Sequence, residues 1–148
     1  MPRTTSHGKL IYSVDMMLAY VNIFKPLVSK IPLSDIKLDF DFHGWMEGKT
    51  RISINDVLKN KKKYVINYTR IKNADLRYPI IVYKGEILDG VHRYVKALML
   101  KKKIINAYVF DHRLMKKFII DTSGNYNVKI ETNEYIERFN RMFKKTNR

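Results

Sequence analysis

A mixed α+β fold, a small sheet flanked by helices, follows from three observations on the sequence. Short β-prone apolar runs, among them Ile80-Ile81-Val82-Tyr83 and Ile104 to Phe110, alternate with stretches of helical spacing. Lys84-Gly85 sits between two such runs as a tight turn. The 148 residues suffice for one hydrophobic core and fall short of two ordinary domains. The expected organisation is a single domain over 1–148, with a core at 29–110, extra helices at both ends and a C-terminal helical extension at 111–148.

Residues 1–9 read as a loose basic arm. Ser13 is a credible N-cap for an amphipathic helix from Val14 to Phe24, whose Met16 and Met17 fill the core, and Lys25-Pro26 ends it. Apolar residues alternate with polar ones from Ser29 to Phe42, which predicts one strand or two strand pieces. His43 to Gly48 reads as a loop, its Trp45 either buried on the core or offered to a base. Ser53 caps a helix running to Asn67 through the basic run Lys59, Lys61, Lys62 and Lys63.

The hairpin Ile80 to Leu88 leads into a helix from Val91 to about Lys102, with Val91, Val95, Leu98 and Met99 as its buried stripe and His92, Arg93 and Lys96 off it. Ile104 to Phe110 predicts a strand returning to the sheet. Further on come a helix over Arg113 to Ile120, a short strand over Tyr126 to Ile130, and an amphipathic helix over Asn133 to Lys145. In that last helix Tyr135, Ile136, Phe139, Met142 and Phe143 share one face.

Twenty-nine Lys and Arg against 14 Asp and Glu give a formal charge of +15, more than solubility asks of so small a chain. An anionic polymer is the natural partner, and a merely solvated basic surface is the plain alternative. With no cysteine in the chain, disulfides, thiolate metal sites and a cysteine nucleophile are excluded. No apolar run resembles a signal peptide or a membrane span, so an intracellular or virion-internal location is expected, with neither secretion nor a membrane partner.

The stretch richest in chemistry is Asp89-Gly90-Val91-His92-Arg93, which opens a helix directly after a strand. Free N–H groups and the helix dipole favour an anion there, glycine permits close approach to the backbone, and Arg93 can grip a phosphate in bidentate fashion. Two readings stand for Asp89. It caps the helix, or it holds Mg²⁺ or accepts a hydroxyl proton during phosphoryl transfer. Two stand likewise for His92: a structural hydrogen bond, or contact with phosphate and proton transfer. Asp39, Asp41 and Glu47 are the candidates for a second acidic group.

Pro79-Ile80-Ile81-Val82, Gly85-Glu86-Ile87-Leu88-Asp89-Gly90, His92-Arg93-Tyr94 and Lys96-Ala97 together resemble the core of the ParB/sulfiredoxin superfamily. Ile31-Pro32-Leu33-Ser34-Asp35-Ile36 resembles its first strand and Ile104 to Phe110 its strand after the helix, so the resemblance covers about residues 29–110. It implies that Gly90, His92 and Arg93 contact nucleotide phosphates, with ATP or CTP and Mg²⁺ as the cofactors to consider. Sulfinate reduction is excluded, because the cysteine it requires before the His-Arg pair is Val91 here. Of the chromosome-partitioning motif only Gly90 and Arg93 are present, which speaks against a CTP clamp.

Lys61, Lys62 and Lys63, then Lys101, Lys102 and Lys103, Lys116-Lys117, and Arg138, Arg141, Lys144 and Lys145 on the last helix make up a surface able to follow a phosphate backbone. The first expectation is therefore a nucleic-acid-binding protein, for DNA foremost and largely independent of sequence, with a phosphate- or nucleotide-binding helix start. The alternatives are an ATP-dependent phosphotransferase or metal-dependent nuclease using Asp89 and His92, and a structural DNA-packaging or scaffold protein. In the last case the charge would pack nucleic acid in bulk, and the C-terminal helix would dock a partner or pair with a second copy as a homodimer.

Overall fold

A computed structural model of the protein describes residues 3–7, 10–121 and 140–141. In chain order the elements are β1 (Thr4–His7), β2 (Leu10–Ser13), α1 (Val14–Phe24), β3 (Ser29–Pro32), β4 (Trp45–Glu47), β5 (Thr50–Ile52), α2 (Ile54–Lys59) and α3 (Val65–Asn73). There follow β6 (Ile80–Tyr83), β7 (Glu86–Asp89), α4 (Val91–Met99), β8 (Ile104–Val109), α5 (His112–Met115) and β9 (Ile119–Asp121). Short 3₁₀ turns stand at Leu33–Asp35 and Lys116–Phe118. The fold is α+β, as the alternation of runs predicts. The chain divides into two compact units, Val28–Val109 and a second that joins Met1–Leu27 to Phe110–Arg148.

In the Val28–Val109 unit a four-stranded sheet has the order β3-β8-β6-β7. β6 pairs antiparallel with β7 and parallel with β8, and β3 closes the far edge antiparallel to β8. A parallel pair needs a long crossover, and β7 followed by α4 supplies it. All four residues of β6 are buried, which explains their unbroken apolar run. Lys84 and Gly85 both have positive φ, 49° and 77°, the signature of the tight turn expected there. Leu33, Ile36, Ile80, Val82, Tyr94, Ala97, Ile105 and Ala107 form one core cluster, and the Tyr94 hydroxyl donates to the Leu33 carbonyl at 3.0 Å.

Several expected elements take another form. The alternation after Ser29 makes a strand only to Pro32. Proline has no N–H for a ladder, Leu33 donates its N–H to Lys103, and a 3₁₀ turn then redirects the chain, so Ile36, Leu38 and Phe40 reach the core from irregular backbone. The Trp45 loop is instead a hairpin of β4 and β5, turning at Gly48 with φ 59°. The helix from Ser53 is two helices. Ser53 and Asp56 form a capping box, but Asn60 ends α2, its side chain accepts the Lys63 N–H at 3.2 Å, and the lysines run through the turn. α4 stops at Met99, which is exposed, while Tyr94 and Ala97 join Val95 in its buried face.

In the second unit β1, β2 and β9 form an antiparallel sheet, so residues 4–7 are a strand and not a loose arm. The Ser13 hydroxyl accepts the Met16 N–H at 3.1 Å as the N-cap of α1, and Met16 and Met17 are buried. Tyr20, Phe110 and Phe118 pack edge to face and stacked. The helix expected over Arg113 to Ile120 is shorter: α5 gives way to a 3₁₀ turn and then to β9. The strand over Tyr126 to Ile130 and the helix over Asn133 to Lys145 lie outside the described residues, save Asn140 and Arg141, which are helical and exposed. Among the described residues no helix is long and apolar enough to cross a membrane.

Candidate phosphate and nucleic-acid site

Gly90, at φ 105°, is the cap residue of α4, and Asp89 lies one position earlier as the last residue of β7. Asp89 is therefore not the helix cap. Its carboxylate instead accepts from Arg93 Nη2 at 2.9 Å, one helical turn on, in a largely buried ion pair. A Cβ on Gly90 would meet Ile80 Cγ2 at 2.6 Å and Arg93 Nη2 at 2.7 Å. The glycine is thus required by its own backbone and by the side chains lying over it. The guanidinium that the sequence offers to a phosphate rests on Gly90, held by Asp89, and its Nε is buried with no hydrogen-bond partner among the described residues.

His92 points into a different set of contacts. Its ring stacks on Trp45 with centroids 4.2 Å apart and planes 5° from parallel, and its Nε2 lies 3.0 Å from Asn67 Oδ1. The buried Asn67 amide donates to the Met46 carbonyl at 2.8 Å and to Glu47 Oε1 at 2.9 Å, which leaves Oδ1 as the acceptor. The network therefore places the His92 proton on Nε2. Burial, and after it the charges of Arg70 and Arg93, pull the His92 pKa down to about 4, so the ring is neutral near pH 7. Sequence reasoning misses Asn67 and Arg70 here, since the contacts join residues some 25 positions apart and leave no local pattern.

Glu47 reaches from β4 to the start of α3, accepting the Ile66 N–H at 2.8 Å and the Asn67 N–H at 3.0 Å. Burial opposes its ionisation, but the Asn67 and Ile66 hydrogen bonds and the Arg70 charge outweigh that and lower its pKa. Of the other candidate acids, Asp39 accepts the Asp41 N–H and Asp41 accepts the Asn55 amide. None of these bonds leads to Asp89. Among the described residues no three His, Asp or Glu gather into a metal-holding group, and a cation on Asp89 would face the Arg93 guanidinium.

Comparison of the chain with protein-family models, with curated proteins and with solved structures finds no match.

The lysine runs stand at turns. Lys61, Lys62 and Lys63 are exposed between α2 and α3, and Lys101, Lys102 and Lys103 are exposed between α4 and β8. Lys61 and Lys72 each hold their ammonium over the Tyr68 ring, at 5.3 and 5.7 Å, and Lys63 lies over Tyr64 at 5.4 Å. Tyr64, Tyr68 and Lys72 follow one another at steps of four, a spacing that could have marked them in the sequence. Lys116 and Lys117 are exposed in the second unit, while Arg138, Lys144 and Lys145 lie outside the described residues.

Proposed function

We propose that the protein binds nucleic acid, DNA foremost and with little sequence preference, through the exposed lysine turns of its Val28–Val109 unit. The observation that carries this reading is the contrast between how the unit uses its acids and its lysines. Its sequence holds 17 Lys and Arg against 8 Asp and Glu, a net +9. Glu47, Asp41 and Asp56 take N–H groups at helix starts or of neighbouring side chains, and Asp75 and Asp89 each hold an arginine. The six lysines of the two turns face solvent. The order β6, β7, α4, β8 also supports a ParB/sulfiredoxin-like reading of this unit, with the Arg93 guanidinium engaged by Asp89 in place of a phosphate.

The test is fluorescence anisotropy of labelled oligonucleotides of unrelated sequence across a salt series. Neutralising about six phosphates predicts a slope of log affinity against log salt near −5 on a duplex and about −4 on a single strand. Affinity indifferent to salt overturns the proposal.

A further inference from the structure

The two lysine turns share a second property that charge alone does not call for. Val65 and Ile66 follow the first within three residues and are 54% and 48% exposed; Met99, Leu100 and Ile104 flank the second and are 39%, 54% and 50% exposed. Large aliphatic side chains in water flanking three consecutive lysines recur twice in one unit. A duplex backbone would satisfy the lysines and leave these carbon surfaces wet, since its bases are stacked inside. An unpaired strand brings both chemistries to the same place, phosphates for the ammoniums and exposed base faces for the aliphatic groups.

The placement of the turns fits one continuous strand. α3 and α4 lie side by side and run the same way, because His92 meets Asn67 and, further along both helices, Lys96 donates to the Lys72 and Ala74 carbonyls. Lys61–Lys63 precede α3, and Lys101–Lys103 follow α4, so the two patches sit at opposite ends of the pair. A nine-residue helix is about 13 Å long, the rise of about four stacked nucleotides. Lys72 lies on α3 between the two patches.

We infer that the occupant of this surface is single-stranded nucleic acid, its bases laid on Val65-Ile66 at one end and on Met99, Leu100 and Ile104 at the other, its phosphates on the two lysine turns. The inference rests on the nucleic-acid reading above and names its substrate class.

The experiment compares a 12-nucleotide single strand with the same sequence as a duplex, for wild-type protein and for the variant Val65→Thr, Ile66→Gln, Met99→Gln, Leu100→Gln, Ile104→Thr, with thermal melting to establish that the variant is folded. The single strand is expected to bind the wild type at least about fivefold more tightly than the duplex does. The variant should lose that preference with its salt slope unchanged, because no charge has been altered. Equal wild-type affinity for strand and duplex, or an unaltered preference in the variant, overturns the single-strand inference and leaves nucleic-acid binding standing. Absence of binding to either form overturns the nucleic-acid reading itself. Binding to phosphatidylserine vesicles that the variant abolishes, without a preference for single strands, assigns the surface to lipid and overturns the inference as well.

Discussion

Glu47 and Lys96 hold opposite ends of the same helix. The carboxylate takes N–H groups at the start of α3, and the ammonium donates to the Lys72 and Ala74 carbonyls at its end, both at 2.7 Å. Each charge has the sign that complements the helix dipole where it sits. α3 carries Tyr68, Arg70 and Lys72, so these two residues fix the orientation of one wall of the candidate binding surface.

Lys96→Met is expected to lower stability by about 1–2 kcal/mol, from two lost charge-assisted bonds, read by denaturant unfolding. Glu47→Gln should lower the melting temperature at pH 7 and do so progressively less as the pH falls. The Glu47 pKa is lowered in the folded state, so its contribution is present above the ordinary carboxylate value of 4.5 and fades below it. A Glu47→Gln effect that does not change with pH would count against the carboxylate as the clamp.

Stability should fall as the pH drops from about 6.5 to about 4. His92 is held at about 4 in the folded protein and titrates near 6.5 when unfolded, so across that window the unfolded chain binds the extra proton. After allowance for its partial exposure, the loss is about 1–2 kcal/mol. Nuclear magnetic resonance titration of His92 checks the cause, and Trp45→Ala should raise the measured pKa by opening the ring to water.

Gly90→Ala is expected to cost about 2–4 kcal/mol, since alanine resists φ 105° and its Cβ overlaps Ile80 and Arg93. In an Arg93→Ala background the penalty should shrink and remain above zero, because the backbone strain and the Ile80 contact stay. Equilibrium unfolding of the four proteins of that cycle measures the difference.

Lys61→Gln, Lys62→Gln and Lys63→Gln together should flatten the salt slope of the proposed nucleic-acid binding by about 2 on a single strand and about 2.7 on a duplex, as three phosphate contacts are removed. A similar triple change at Lys101, Lys102 and Lys103 should act alike. Anisotropy titrations at four salt concentrations separate these effects from a change in affinity alone.

The parts of the fold legible in sequence are those written locally. Ser13 and Ser53 cap the helices they precede, Lys84-Gly85 turns, and the apolar run of β6 is the buried strand. The strand expected beyond Pro32 misleads because Ile36, Leu38 and Phe40 keep a period of two, after a phase slip at Ser34-Asp35, and pack on the core from irregular backbone that satisfies the same period. At the site, Asp89 and Arg93 are one helical turn apart and their pairing is within reach of spacing rules. The partners of His92 are not, since Trp45 and Asn67 arrive from a hairpin and a separate helix whose docking no local pattern records.

The position of β3 has a consequence for synthesis. Ser29 to Pro32 leave the ribosome before the rest of this sheet, yet among the described residues their strand partner is β8, whose Ile104 to Ala107 they face in register. Until that much of the chain has emerged, β3 has no edge to join, and the β6–β7 hairpin and α4 are complete before it. The first strand of this sheet to be made is among the last to be placed, and a chain stalled between Met99 and Ile104 would present β6 with one side of its ladder open to whatever strand is nearby.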